Sequence, residues 1–196
     1  MSVNWVIVAL EGELDRSTFF DKRPDTSWQI EYCGVGKVNA AISACRIAKL
    51  RGSKRIINYG TAGIVSYKTI VGKLVAPDVI LQRDMMTEPQ APRSVTPFEA
   101  DETAGAISMY TNTNITLGTG DSFVTEPDPW FEYANVDLVD MEGYAIAKAC
   151  KANNIDFSCW KYVSDFADSN AAEDWQKNIN NGADLFMEKL NDLYSK

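Results

Sequence analysis

The apolar run from Val136 to Val139 passes through Asp140, Met141 and Glu142 into Gly143-Tyr144-Ala145-Ile146-Ala147-Lys148-Ala149-Cys150. The first stretch reads as a strand and the last as a helix. In α/β proteins function concentrates at such carboxyl ends of strands. A Glu there has apolar sequence on both sides, so simple solvation is a poor use for it. A second acidic junction, Val163-Ser164-Asp165-Phe166-Ala167-Asp168, follows about one strand–helix unit later. Together the two suggest a carboxylate-driven site.

The rest of the chain keeps the same alternation, which predicts an α/β layered fold. Trp5–Leu10 and Ser27–Cys33 read as strands, and Lys37–Arg51 as an amphipathic helix with Val38, Ala41, Ile42, Cys45 and Ala48 at helical spacing. Arg55–Tyr59 is a strand leading into Gly60-Thr61-Ala62-Gly63. Lys73–Leu81 is a strand interrupted by Pro77, and Met85–Pro97 a long loop. Asn114–Leu117 is a strand leading into Gly118-Thr119-Gly120-Asp121. Val136–Val139 and Phe157–Val163 are strands flanking a helix from Glu142 to Ala152. One last helix is expected from Ala171 to Tyr194, capped by Ser169 or Asn170, with Trp175, Ile179, Ala183, Phe186, Leu190 and Leu193 as its inner stripe. The 196 residues fit a single domain spanning 1–196.

Several function classes are excluded. The net charge of −8 argues against a nucleic-acid groove or an anionic-membrane surface. There is no histidine, so no Ser-His-Asp triad, Cys-His pair or His-ligated zinc can form. Acid–base chemistry near neutral pH falls to Asp and Glu with shifted pKa, or to Lys, Tyr or Cys. Cys33, Cys45, Cys150 and Cys159 form no C-x-x-C and read as reduced thiols of a cytoplasmic protein. The first apolar run lacks a basic flank and ends at Glu11, as a strand does.

Gly34-Val35-Gly36-Lys37-Val38-Asn39 invites a phosphate-loop reading. Asn39 replaces the third Gly of a dinucleotide fingerprint. Glu31 and Val38 stand where a P-loop needs Gly and Ser or Thr. A tight turn into a helix is expected instead. Glu11-Gly12-Glu13 is either a solvated turn or a contribution to the same cleft as the acidic junctions.

Six blocks in this order resemble the nucleoside phosphorylase/nucleosidase superfamily, nearest to its 5′-methylthioadenosine/S-adenosylhomocysteine nucleosidases. They are Ala9–Glu13, Gly34–Ala40, Asn58–Gly63, Gly118–Phe123, Asp140–Gly143 and Val163–Asp168. The resemblance implies a three-layer α/β/α domain around a mixed sheet, a homodimer, no metal and no organic cofactor. It implies that Glu13 activates the attacking water and that Asp165, oriented by Ser164, protonates the departing purine. Glu142 would grip the ribose hydroxyls with Met141 packed on the sugar. Phe123 would stack on the base, the Val124 backbone would pair with its edge, and Thr61 would join the substrate-binding set. Asp140 would only order its turn.

The resemblance departs at the cap, Met86–Pro92, which is less apolar than in the family, and at Lys161, where the family commonly has Arg. The Met85–Pro97 loop would be the segment given to the neighbouring subunit. Arginines that would hold phosphate in the phosphorylase branch are replaced by Glu11-Gly12-Glu13 and Asn58-Tyr59. Hydrolysis of a purine nucleoside, adenosine-type, is therefore expected. A phosphate-dependent phosphorylase, a non-catalytic nucleoside binder and, more remotely, a flavodoxin-like binder remain as alternatives.

Overall fold

The computed structural model describes residues 2–100, 103–126 and 128–194. In chain order the elements are β1 (Val3–Val8), α1 (Arg16–Lys22), β2 (Trp28–Tyr32), α2 (Lys37–Ala48), β3 (Ser53–Ile64), β4 (Leu74–Val75), β5 (Val79–Gln82), β6 (Ile107–Ser108), β7 (Thr116–Thr119), α3 (Pro129–Tyr133), β8 (Leu138–Asp140), α4 (Gly143–Ala152), β9 (Asp156–Asp165), α5 (Ala171–Asn178) and α6 (Ala183–Leu193).

Among the described residues nine strands make one mixed sheet. Its main path runs β2-β1-β3-β8-β7-β5-β6, with β9 on β3 and β4 on β9. Strand alternation sends successive side chains to opposite faces, and the core is divided accordingly. Val6, Val8, Ile57 and Tyr59 pack with Leu14, Phe19, Phe186, Met187 and Leu190 on the α1/α6 face. Ile7 and Ile56, one residue out of phase, pack with Ala40, Ala44, Ile47, Ile146 and Ala149 on the α2/α4 face. The result is the three-layer α/β/α arrangement. Among the described residues no helix is long and apolar enough to cross a membrane.

Four local expectations are corrected. The glycines after Tyr59 do not end the strand: β3 continues to Ile64, and Gly60 and Gly63 are not among the positive-φ glycines. They are small because of what lies over them. A Cβ on Gly60 would stand 3.2 Å from Glu13 Oε1 and 3.4 Å from Lys161 Nζ, and one on Gly63 would stand 2.7 Å from Asp165 Oδ1.

Pro77 separates two strands rather than interrupting one, since β4 pairs with β9 whereas β5 pairs with β6 and β7. The last helix is two helices. At Gly182 the chain crosses Tyr162 so closely that a Cβ would lie 2.4 Å from the ring. The break rotates α6, so that Met187 is buried and Leu193 is exposed. On α2 the buried face is Ala40, Ser43, Ala44 and Ile47, and the larger apolar residues Val38 and Ile42 are 69% and 62% exposed.

Candidate active site

β1 pairs with β3 in parallel as far as Ile7↔Asn58, and β8 meets β3 antiparallel at Gly63 and Ile64. Because β9 occupies the other edge along its length, β1 and β8 share one edge and their carboxyl ends point toward each other. Between Asn58 and Gly63 that edge lacks a strand partner. Glu13, carried by the turn after β1, fills the gap. Thr61 N and Oγ1 donate to Glu13 Oε1 at 2.7 and 2.8 Å, and Leu10 N donates to Oε2 at 3.2 Å. Glu13 is thereby buried, 4% exposed, with its lone pairs facing donors.

β8 brings the second group of carboxylates. Asp140 is a hub rather than a reactant. It accepts from Thr119 Oγ1 at 2.5 Å, from the amides of Glu142 and Gly143 at 3.3 and 2.7 Å, and pairs with Lys161 Nζ at 2.8 Å. Both side chains of that ion pair are inaccessible to solvent, at 1% and 0% exposure. Burial works against the Lys161 charge, but Asp140, Cys159 and Glu142 outweigh it and hold the ammonium well above its ordinary range. Glu142 stands at the N-cap position of α4 without a side-chain bond to the helix, and accepts instead from Gly36 N at 2.8 Å. Burial, reinforced by the Asp140 charge, pushes its carboxyl up to about 7.

The third carboxylate ends β9. Asp165 accepts from Ser164 Oγ at 2.7 Å and from Ala167 N at 2.9 Å. Ala167 adopts a left-handed backbone, φ 49°, which turns its amide back toward Asp165. Burial raises the Asp165 pKa from its ordinary value, and Asp174 and Asp168 add to the effect against the Ser164 and Ala167 hydrogen bonds. That is the direction a general acid requires.

Glu13, Asp165, Glu142, Met141, Phe123, Val124, Thr61 and Ser164 all line one cavity of about 180 Å³, together with Val35, Arg83 and Trp175. All eight residues singled out from the sequence thus meet at one place. Phe123 is held on its loop by Arg83, which donates to Ser122 Oγ at 3.0 Å, Ser122 O at 2.5 Å and Gly120 O at 3.1 Å. Gly120 is glycine because a Cβ would lie 2.9 Å from the Arg83 guanidinium carbon.

The Gly34–Asn39 turn carries positive φ at Gly34 and Gly36, as a tight turn demands. Two of its amides are already taken by carboxylates. Gly36 N donates to Glu142, and Lys37 N donates to Asp121 Oδ1 at 2.7 Å. Lys37 Nζ pairs with Asp84 at 2.6 Å. The turn anchors the Glu142 carboxylate instead of cradling a phosphate. Among the described residues no group of three or more Cys, Asp or Glu is placed to hold a metal ion.

Sequence reasoning missed Arg83 and misassigned Trp175. Arg83 follows an apolar strand just as Glu142 does, so the strand-end criterion could have found it. Trp175 falls in the inner stripe of one long helix only if the Asn180-Asn181-Gly182 turn signal between α5 and α6 is overlooked.

A three-layer α/β/α fold with a carboxylate cleft at facing strand ends is the class defined by this architecture. The model of the phosphorylase superfamily matches residues 28–194, and the chain belongs to that superfamily. It is 30% identical over 152 residues to a 5′-methylthioadenosine/S-adenosylhomocysteine nucleosidase of Bacillus cereus, covering 68% of this chain and 66% of that protein. The chain thus spans just under two thirds of the length of the curated relatives it matches. In fold it is similar to the 5′-methylthioadenosine/S-adenosylhomocysteine nucleosidase of Helicobacter pylori, with TM-score 0.84, 16% identity and 98% and 97% of the two chains covered. It is also similar to the futalosine hydrolase of that organism, with TM-score 0.83, 15% identity and 97% and 98% covered.

Because Lys161 is the buried partner of Asp140, Lys161→Met would leave a buried carboxylate unpaired. Urea denaturation is expected to show a loss of about 3–5 kcal/mol. A loss below about 1 kcal/mol would mean that water reaches Asp140.

Proposed function

We propose that the protein is a purine nucleosidase that hydrolyses the N-glycosidic bond of an adenosine-type nucleoside, with methylthioadenosine and S-adenosylhomocysteine as first candidates. The observation that carries this is the convergence of Glu13, Glu142 and Asp165 on one cavity that also presents the Phe123 ring. Glu142 accepts hydrogen bonds from the ribose hydroxyls, with Met141 against the sugar. Phe123 stacks on the base and the Val124 backbone meets its edge. As the bond between C1′ and the base nitrogen breaks, its electron pair leaves with the purine, which takes a proton from Asp165. Water, giving its proton to Glu13, bonds to C1′ of the oxocarbenium-like sugar, and free base and free sugar result. Paired carboxylates serve O-glycosidases in the same way, and each proton transfer contributes roughly 10²–10⁴ in rate. The similar structures from Helicobacter pylori and Streptococcus pneumoniae hold 5′-methylthioadenosine and 8-aminoadenine respectively, which supports a nucleoside ligand.

Hydrolysis is favoured over phosphorolysis by charge. Glu13 stands at the gap in β3. Among the described residues lining the cavity the one cation is Arg83, which is committed to Gly120 and Ser122. The expected products in phosphate-free buffer are free base and a reducing sugar; strict dependence on phosphate, with sugar 1-phosphate formed, would establish the phosphorylase instead.

The acid side of the pH profile follows from Glu142. A group raised to about 7 is protonated below that pH, and the neutral carboxyl is a weaker acceptor from the ribose hydroxyls, with one oxygen now a donor. kcat/KM is therefore expected to fall as pH drops through about 7, and a flat profile down to pH 5 would contradict a role for ionised Glu142 in gripping the ribose.

The active form is proposed to be a cytoplasmic homodimer. The four cysteines are free, and Val38 and Ile42 form an apolar face on α2 beside Val35 of the cavity wall. No residue of the Met85–Pro97 loop lines the cavity of its own chain, which suits donation to a neighbour. Val38→Glu with Ile42→Glu is expected to shift light-scattering mass from dimer to monomer; an unchanged mass would place the interface elsewhere.

A further inference from the structure

Trp175 reaches from α5 into the site, half-buried. Its indole Nε1 donates to Thr61 Oγ1 at 3.0 Å, and that same hydroxyl donates to Glu13 Oε1 at 2.8 Å. An indole N–H can only donate, and a threonine hydroxyl has a single proton. With its oxygen accepting from Trp175, the hydroxyl proton has Glu13 as its acceptor. The chain of donors therefore runs one way, from Trp175 through Thr61 to Glu13. Oε1 receives a second bond from Thr61 N at 2.7 Å, while Oε2 receives only the longer 3.2 Å bond from Leu10 N. Oε2 is thus the less occupied oxygen of Glu13.

α5 is built to hold this indole in place. Ala171 is its one buried residue, and it is fastened to segments of the site. Asn178 Nδ2 donates to Ser164 O at 2.8 Å. Ile179 lies close enough to Gly12 that a Cβ there would be 3.3 Å from its Cδ1. The Trp175 ring stands edge-on to Phe123 at 6.4 Å.

We propose that Trp175 is a positioning residue for the hydrolytic step: acting through Thr61, it fixes Oε1 of Glu13 as the anchored oxygen and leaves Oε2 to receive the proton of the attacking water. This rests on the nucleosidase function proposed above. Trp175 takes no part in bond making and contributes through hydrogen-bond direction alone.

The test compares Trp175→Phe, Thr61→Val and the double variant. Trp175→Phe keeps an aromatic ring and removes the donor. It is expected to lower kcat by about 3- to 10-fold, the worth of one hydrogen bond, with a smaller change in KM. Thr61→Val is expected to cost more, and the double variant to equal Thr61→Val within about twofold, because residues acting in series are not additive. Losses that multiply in the double variant would show that Trp175 acts by packing and would overturn the proposal.

A second measurement needs no turnover. The indole ¹H–¹⁵N signal of Trp175, identified by its loss in Trp175→Phe, is expected to shift in both Thr61→Val and Glu13→Gln. A signal unmoved by either substitution overturns the relay. A wild-type protein that releases no base while its indole signal responds removes the nucleosidase function and leaves the relay standing.

Discussion

The Lys161–Asp140 pair, buried at 2.8 Å, is the contact on which the rest of the site depends. Three strands deliver carboxylates to one small volume: Glu13 after β1, Asp140 and Glu142 at the end of β8, and Asp165 at the end of β9. Charges of like sign in a low-dielectric interior repel strongly, and all four of these groups are buried. Lys161 enters from β9, inaccessible to solvent, and neutralises Asp140. Asp140 in turn holds the amides of Glu142 and Gly143 and the hydroxyl of Thr119. The pair therefore fixes the start of α4, and with it the orientation of Glu142. Removal of that cation would be felt first as instability and only then as lost chemistry.

The same crowding explains the glycines. Gly60 lies beneath the Glu13 carboxylate and the Lys161 ammonium, Gly63 beneath Asp165, and Gly120 beneath Arg83. In each case a side chain that shapes the site occupies the space a Cβ would need. β3 gives up its partner between Asn58 and Gly63 so that Glu13 can accept from Thr61. The cleft is in this sense a missing stretch of strand pairing, refilled by a carboxylate.

Much of this was legible in the chain itself. An apolar strand ending in Asp140-Met141-Glu142, and another ending in Ser164-Asp165, cannot be explained by solvation, and both carry their acids to the cavity. The absence of histidine left carboxylates as the available acids and bases. Other features were hidden because they depend on contacts distant in sequence. Periodicity carried Trp175 into a core stripe across Asn180-Asn181-Gly182, a run whose Asn-Gly step is itself a turn signal; what sequence does not show is the ring of Tyr162 against which Gly182 passes. Spacing alone could not say which side of α2 is buried. The small residues Ala40, Ala44 and Ser43 face α4 because two helices must pack closely there, and Val38 and Ile42 are left outside. Gly60 and Gly63 looked like a turn because a glycine's neighbour in space is not its neighbour in sequence.

Asp165 is the group whose assignment decides between a catalyst and a binder on this fold. Its raised pKa, its bonds to Ser164 and Ala167, and its place in the cavity suit a proton donor to a leaving purine. The most direct test is a single-turnover measurement of base release by Asp165→Asn, with methylthioadenosine as substrate and its Kd determined alongside. A rate loss of roughly 10²-fold or more with Kd changed only a few-fold is expected. A rate within about threefold of the wild type would contradict the assignment.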